Sequence, residues 1–388
     1  MLKQITKYFL ITLILSLGFG QLLRFELFGL PLYLHDVLVI CFLVAQGLTC
    51  DWRTVLFPKG LTCDWRTVLF PKGLTFKEVP NPAYTIVGEG QTLKYFGLNL
   101  FLLGLAVGWV FTLFHYPLPP LLVPSLYTLR LLAYLALYLV LKHQKLKISP
   151  EIFLISGLVT LIIGLAQYIF MPDMRLFQYL GWDDHLSRLT LPHFDPTFTA
   201  IMLGLALFTF PKYSPLFMIG ILLTYTRSIW ISLALTETLF IKNKLVLLLT
   251  VGCMLLAIYL LPQKFGEGTN LLRTFSITSR FQADFSYVAT YKWDLLVGRG
   301  MNTLILDAPS SLYPNHATGP NNSYLYLLLT SGILGLVGWG IFMHSLYLDS
   351  HFKPMLTFFL IASLFNNVMF YPFALLWVLL IHATQEKI

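Results

Sequence analysis

The chain has 388 residues, 57% of them apolar and 11% charged, with a mean hydropathy of +0.73. A water-soluble domain carries roughly 25% charged residues because its surface must face water, so this composition excludes an ordinary soluble globule and calls for lipid around the outside. The formal charge of +8 fits Lys and Arg gathered in cytoplasmic loops and calls for no nucleic-acid partner.

Hydrocarbon satisfies no backbone N–H or C=O, which leaves helices or a closed barrel. The apolar runs are long and do not alternate, which excludes the barrel's period of two. The expected fold is all-α, a polytopic transmembrane bundle of about twelve helices near 7–23, 30–46, 96–115, 121–141, 150–170, 197–211, 215–226, 228–242, 244–261, 322–347, 354–368 and 371–384. The segments at 215–226 and 228–242 fall short of the ~20 residues of a full crossing. They read as a tilted pair meeting near the surface, or as one bent span.

The N-terminus opens with Lys3, Lys7 and an apolar run, with no small-residue cleavage site after it, so a retained anchor is expected rather than a removed signal peptide. Residues 47–59, GLTCDWRTVLFPK, recur unchanged at 60–72. Two copies are too few for a solenoid, and the repeat reads as a recent tandem duplication or an assembly error. Cys41, Cys50, Cys63 and Cys253 show no metal-ligand spacing, so neither a disulfide nor a metal is expected.

Orientation follows from the basic residues. With the N-terminus inside, sixteen Lys and Arg fall in inner segments and nine in outer ones, which favours N-in, C-in topology. Fourteen of the inner sixteen are Lys, whereas seven of the outer nine are Arg. Lysine suffices for topology, but arginine adds a planar fork that grips phosphate bidentately. The outer face therefore hints at a phosphate-bearing ligand.

Two long outer loops are expected, 171–196 and 262–321. The second spans 60 residues, far beyond the ~12–15 of an ordinary connection. Phe281, Phe285, Val288 and Lys292 sit at helical spacing in it, so 279–295 is expected to form an amphipathic helix on the membrane surface or to pack as loop. Residues 1–149 thus form N-terminal helices with a cytoplasmic loop at 47–95, 150–348 the region holding both outer loops, and 349–388 the C-terminal helices.

Arg188, in DDHLSRLTLPHFDP, precedes a helix opening at Pro196. Arg227, in LLTYTRSIW, lies where two apolar segments meet, and Arg280 begins the surface helix. Each alone reads equally as a solvated or snorkelling residue; together on one face they form a candidate site. Arg130 lies within a span, where a lone charge costs about 2.5–3.5 kcal/mol and must face a cavity or a partner. Asn321, Asn322 and Ser323 open a long helix carrying Gly332, Gly335, Gly338 and Gly340. Those glycines permit close helix contact, and Asn322 is a competent N-cap.

In this order the elements resemble the O-antigen ligase/polymerase superfamily of envelope glycan transferases. The resemblance covers roughly residues 150–340. It rests on Arg188 before Phe198, on Thr226-Arg227 closing a short span, on Arg280 ahead of Trp293, Gly298 and Gly300, and on the polar opening of the helix at 321–335. The chain departs from the family at Asn321, where the family has His; His316, five residues upstream, is the nearest substitute.

The resemblance implies a multi-pass protein of a bacterial cytoplasmic membrane. It implies transfer of a glycan from an undecaprenyl-diphosphate-linked donor to a lipid, glycan or protein acceptor at the outer face, with no cofactor and no metal. His316, Arg188, Arg227 and Arg280 are then the expected catalytic residues, and Arg130, Asn321 and Asn322 the expected substrate-binding ones. His185, His193, Asp284 and Asp294 stand behind His316 as alternative bases. A lipid-linked glycan flippase or transporter would share the hydropathy and is the rival expectation; a scaffold without activity is a third.

Overall fold

The structure, a computed structural model, describes residues 2–27, 30–47, 82–240, 244–261, 267–272, 274–307 and 319–385. The duplicated segment after Gly47, and His316, lie outside the described residues.

Fourteen α-helices are described. They are α1 (Leu2–Gly18), α2 (Leu34–Gly47), α3 (Pro82–His115), α4 (Leu122–Gln144), α5 (Glu151–Phe170), α6 (Pro196–Thr209) and α7 (Ser214–Leu223). The chain continues with α8 (Arg227–Phe240), α9 (Lys244–Leu260), α10 (Phe275–Thr290), α11 (Asp294–Val297), α12 (Ser323–Asp349), α13 (Lys353–Phe365) and α14 (Pro372–Thr384). Among the described residues the fold is all-α apart from one antiparallel hairpin of β1 (Arg24–Leu27) and β2 (Leu30–Tyr33), with Arg24 opposite Tyr33.

The hairpin corrects the expected helix at 30–46. Pro31 pushes its predecessor out of the α region, so residues 30–33 stay extended. The helix starts only at Leu34, where Asp36 in its first turn accepts from the Tyr33 N–H at 3.3 Å.

Four helical stretches are long and apolar enough to cross a membrane: Leu93–His115, Pro119–Gln144, Glu151–Phe170 and Ser323–Asp349. The other apolar helices are shorter, among them α1, α2, α6, α13 and α14. The expected short pair is found as α7 and α8, of 10 and 14 residues. Their junction, Thr224 to Thr226, places Tyr225 at φ +54°.

Helix α14 is apolar all round and buried along its whole length, with Trp377 and Leu376 inaccessible to solvent. A helix without a polar face belongs in the centre of a bundle, and α4, α6 and α1 pack around it. The most extensive pairing is α3 with α12. Small residues make it possible: a Cβ on Gly104 would meet the Gly335 backbone N at 2.4 Å, and one on Gly338 the Phe101 N at 2.3 Å.

Helix α12 is broken at Gly332, which has φ +66° and ψ −171°. A break of this kind frees carbonyls that normally accept from residues four positions on. Leu329 O is taken by the Arg299 N–H at 3.0 Å and Thr330 O by the Gly300 N–H at 2.9 Å. The Gly298-Arg299-Gly300 segment thus plugs the break with its own backbone. Gly298 and Gly300 hold φ of +84° and +80°, and a Cβ on Gly298 would lie 2.7 Å from Gly332 N. Glycine is needed here for backbone approach.

Candidate functional site

The loop between α5 and α6 is held from below by Gln167. Its amide donates to Met171 O at 3.0 Å and Arg188 O at 3.2 Å, and its oxygen accepts from Thr190 N at 2.9 Å. Leu189 N also donates to Leu223 O at 2.9 Å, tying this loop to the α7–α8 junction. Arg188 is buried and donates through Nε to Thr224 O at 2.9 Å and through a terminal nitrogen to Thr226 Oγ1 at 3.4 Å. It therefore braces the turn that delivers Arg227.

Arg227, the first residue of α8, is half-buried and donates to Leu271 O at 2.9 Å. Arg280, in the second turn of α10, donates to Asn366 Oδ1 at 2.8 Å and Phe365 O at 3.3 Å. Asn366 in turn donates to Ser228 Oγ at 3.0 Å, so Arg280 is coupled to the residue next to Arg227. The two guanidinium charges lie close enough to oppose one another. The three expected arginines, from three separate stretches of chain, are thus linked through the α7–α8 junction: Arg188 by Thr224 and Thr226, Arg280 by Asn366 and Ser228.

The same cluster gathers acidic groups. Asp284, one turn after Arg280, accepts from the Asn321 backbone N–H, and its Oδ1 is buried without a hydrogen-bond partner among the described residues. Burial pushes its carboxyl above the usual range, partly offset by the Asn321 N–H and the Arg280 charge. Asp195 caps α6, accepting from Thr197 N at 2.6 Å and Phe198 N at 3.0 Å. Its other oxygen lies 4.0 Å from His185 Nε2. With Asp183, these two residues bring ligand atoms within 4.8 Å of one another, a geometry able to hold a cation. No short metal-ligand spacing marks this group in the chain, because Asp195 sits ten residues beyond His185.

Not every expected residue joins the cluster. Asn322 spends its side-chain oxygen on the α12 N-terminus, accepting from Tyr324 N at 2.9 Å and Leu325 N at 3.2 Å; Asn321 reaches the cluster through its backbone. Ser323 Oγ donates to Asn366 O at 2.9 Å, which ties the opening of α12 to the same place. Arg130 lies elsewhere, inside the bundle. It pairs with Asp36 at 2.8 Å and faces the rings of Tyr33 and Tyr127 at 5.1 Å each. Tyr134 OH also donates to Asp36 at 2.5 Å.

No protein-family model matches the chain, and no curated protein matches it either. The site must therefore be read from its own chemistry.

Two residues of that chemistry escaped sequence reasoning. Asn366 is one of two adjacent asparagines between α13 and α14, and nothing in its spacing ties it to residues 228 and 280. Gln167 looks like a polar intrusion in an apolar helix, yet it is 4% exposed and organises the loop that carries Arg188.

Helix α10 presents two faces to the site and to its surroundings. Phe281, Phe285 and Val288 are exposed, while Arg280, Asp284 and Tyr287, each one position earlier, are half-buried. One residue turns an α-helix by about 100°, so an outward apolar stripe runs beside an inward polar one. This is the pattern of a helix lying in a membrane interface.

Proposed function

We propose that the protein is a membrane glycan transferase of the O-antigen ligase/polymerase type. It moves a glycan from an undecaprenyl-diphosphate-type carrier to an acceptor hydroxyl at the outer face of a bacterial cytoplasmic membrane. The observation that carries this reading is the approach of Arg227 and Arg280, near enough for their like charges to oppose one another, with Arg227 donating to Leu271 O and Arg280 to Phe365 O and Asn366 Oδ1. Bringing like charges together costs energy that a bound dianion recovers, and arginine matches phosphate geometry.

In this mechanism the acceptor oxygen attacks the anomeric carbon of the donor. The bond from that carbon to the diphosphate oxygen breaks, and the electron pair leaves with the lipid diphosphate. Arg227 and Arg280 stabilise the charge that gathers there, and Arg188 holds their turn in place. Asp284, with a raised pKa and an unused oxygen, takes the acceptor proton. A positioned base of this kind contributes about 10²–10⁴-fold, and each donor to the developing charge about 2.7–4 kcal/mol.

A flippase is the second reading, favoured by the Arg130–Asp36 pair inside the bundle and by the break in α12, features found along transport paths. One experiment separates the two. The protein in proteoliposomes is given a lipid-diphosphate-linked oligosaccharide and an acceptor, and both release of lipid diphosphate and movement of the carrier are followed. Release that is lost in Arg227→Ala, Arg280→Ala and Asp284→Asn supports transfer. Carrier movement with no release overturns it in favour of the flippase.

A further inference from the structure

A cavity of about 400 Å³ lies at the C-terminal end of α10 and shares no residue with the arginine cluster. Phe111, His115, Tyr116, Tyr291, Trp293 and Asp294 line it, and its volume falls in the range of small-molecule sites. Arg299 forms its floor, 6% exposed, ion-paired with Asp307 at 2.7 Å and Asp294 at 3.3 Å. It also faces the rings of Tyr291 at 4.5 Å and Tyr116 at 5.6 Å and contacts the Tyr116 hydroxyl. Arg299 Nε is buried with no hydrogen-bond partner among the described residues.

We infer that this cavity is a carbohydrate subsite that takes a neutral sugar ring. The argument is one of matching chemistry. Two cations, Arg299 and Lys292, stand against two carboxylates, Asp294 and Asp307, so the formal charges cancel and the cavity offers no surplus positive charge to an anion. What remains are flat aromatic faces, which suit the apolar C–H face of a pyranose, and polar groups of both senses: the Lys292 ammonium, the Asp294 carboxylate and tyrosine hydroxyls. A pocket of apolar walls with a few convergent polar groups is the general form of a small-molecule site.

The backbone supports this placement. Arg299 is delivered by the segment that plugs α12 at Gly332, and Thr112 of α3 donates to the Arg299 carbonyl. The cavity floor is therefore fixed by the most extensive helix pairing among the described residues rather than by a loop alone.

The cavity also stands in register with the arginine cluster. Arg280, Asp284, Tyr287 and Tyr291 follow helical spacing on one face of α10, and the last two rings stack at 6.0 Å. At 1.5 Å per residue the two ends are about 16 Å apart, a distance that a short oligosaccharide spans. This last step rests on the transferase reading and assigns the cavity to the glycan being moved; the sugar subsite itself does not depend on it.

The test uses the full chain in nanodiscs and a panel of short neutral oligosaccharides of hexoses and N-acetylhexosamines, with uronic-acid oligomers and inorganic diphosphate as the charged arms. Binding is read by tryptophan fluorescence and by calorimetry. Trp293 is 77% exposed, so Trp293→Ala leaves the fold intact. The expected result is saturable binding of at least one neutral sugar, weakened about tenfold or more in Trp293→Ala and in Tyr291→Ala, and unchanged in Arg280→Ala. Binding that is indifferent to Trp293 and Tyr291, or binding of the charged probes alone, overturns the subsite. So does the absence of any sugar binding by the wild-type chain, and a chain that still releases lipid diphosphate while failing to bind sugar loses only this inference.

Discussion

Arg280 and Asn366 are hydrogen-bonded at 2.8 Å across 86 residues of chain. That one contact joins α10 to the α13–α14 connection, and through Ser228 it reaches the start of α8. Removing it should cost positioning rather than folding, because Arg280 keeps its bond to Phe365 O. Asn366→Ala is expected to lower the proposed glycan transfer by about 10²-fold, the typical result of misplacing a reacting group by an ångström. Measured beside Arg280→Ala and the double variant, the effects should be strongly non-additive. Simple additivity would mean that the two side chains act separately.

Arg130 and Asp36 form the pair inside the bundle, 2.8 Å apart with Asp36 5% exposed. Breaking a buried pair strands one charge and costs about 3–5 kcal/mol, whereas replacing both members with apolar groups is often neutral. Asp36→Ala should therefore unfold at markedly lower temperature, and Arg130→Met with Asp36→Leu should recover most of the loss. Transfer per folded molecule should survive in the double variant if the protein is a transferase. Loss of activity in a stable double variant would give Arg130 a direct part in function.

His193, in the loop before α6, is fully buried with Nδ1 against Tyr371 OH at 2.8 Å. Burial, with a smaller effect from His35, lowers its pKa from 6.5 to about 3. The folded state thus binds fewer protons than the unfolded state between those values, so stability is full above about pH 6.5 and is lost as the pH falls toward 3. Unfolding temperatures measured at pH 7.5 and pH 5 should drop for the wild type and drop less for His193→Gln. Equal drops would remove His193 from the pH response.

Two glycines of α12 should respond in opposite directions. A Cβ on Gly338 would sit 2.3 Å from the Phe101 backbone N, while one on Gly340 meets nothing within 4 Å. Gly338→Ala is expected to destabilise by about 1–3 kcal/mol through overpacking against backbone that cannot yield. Gly340→Ala should stabilise by about 0.5–1 kcal/mol, since a helix interior gains from losing glycine. Thermal unfolding of the two variants side by side checks both signs, and a shared sign would mean that the α3–α12 seam is not the source.

The order of residues along the chain was enough to set its helical character, the short pair at α7 and α8, the Asn322 cap and the amphipathic stripe of Phe281, Phe285 and Val288. These are local properties, set by hydropathy, by helical periodicity and by side chains that reach their own backbone. It also singled out Arg188, Arg227 and Arg280, because guanidinium groups stand out in an apolar chain. The packing of distant segments links these three through the α7–α8 junction, keeps Arg130 apart from them, and lets Asn366 and Gln167 hold the site together. Hydrogen bonds between residues 280 and 366, or 167 and 188, leave no periodic trace in the chain. The break at Gly332 is of the same kind: the glycine was visible, but the segment that fills the gap comes from 32 to 34 residues earlier and is known only from the fold.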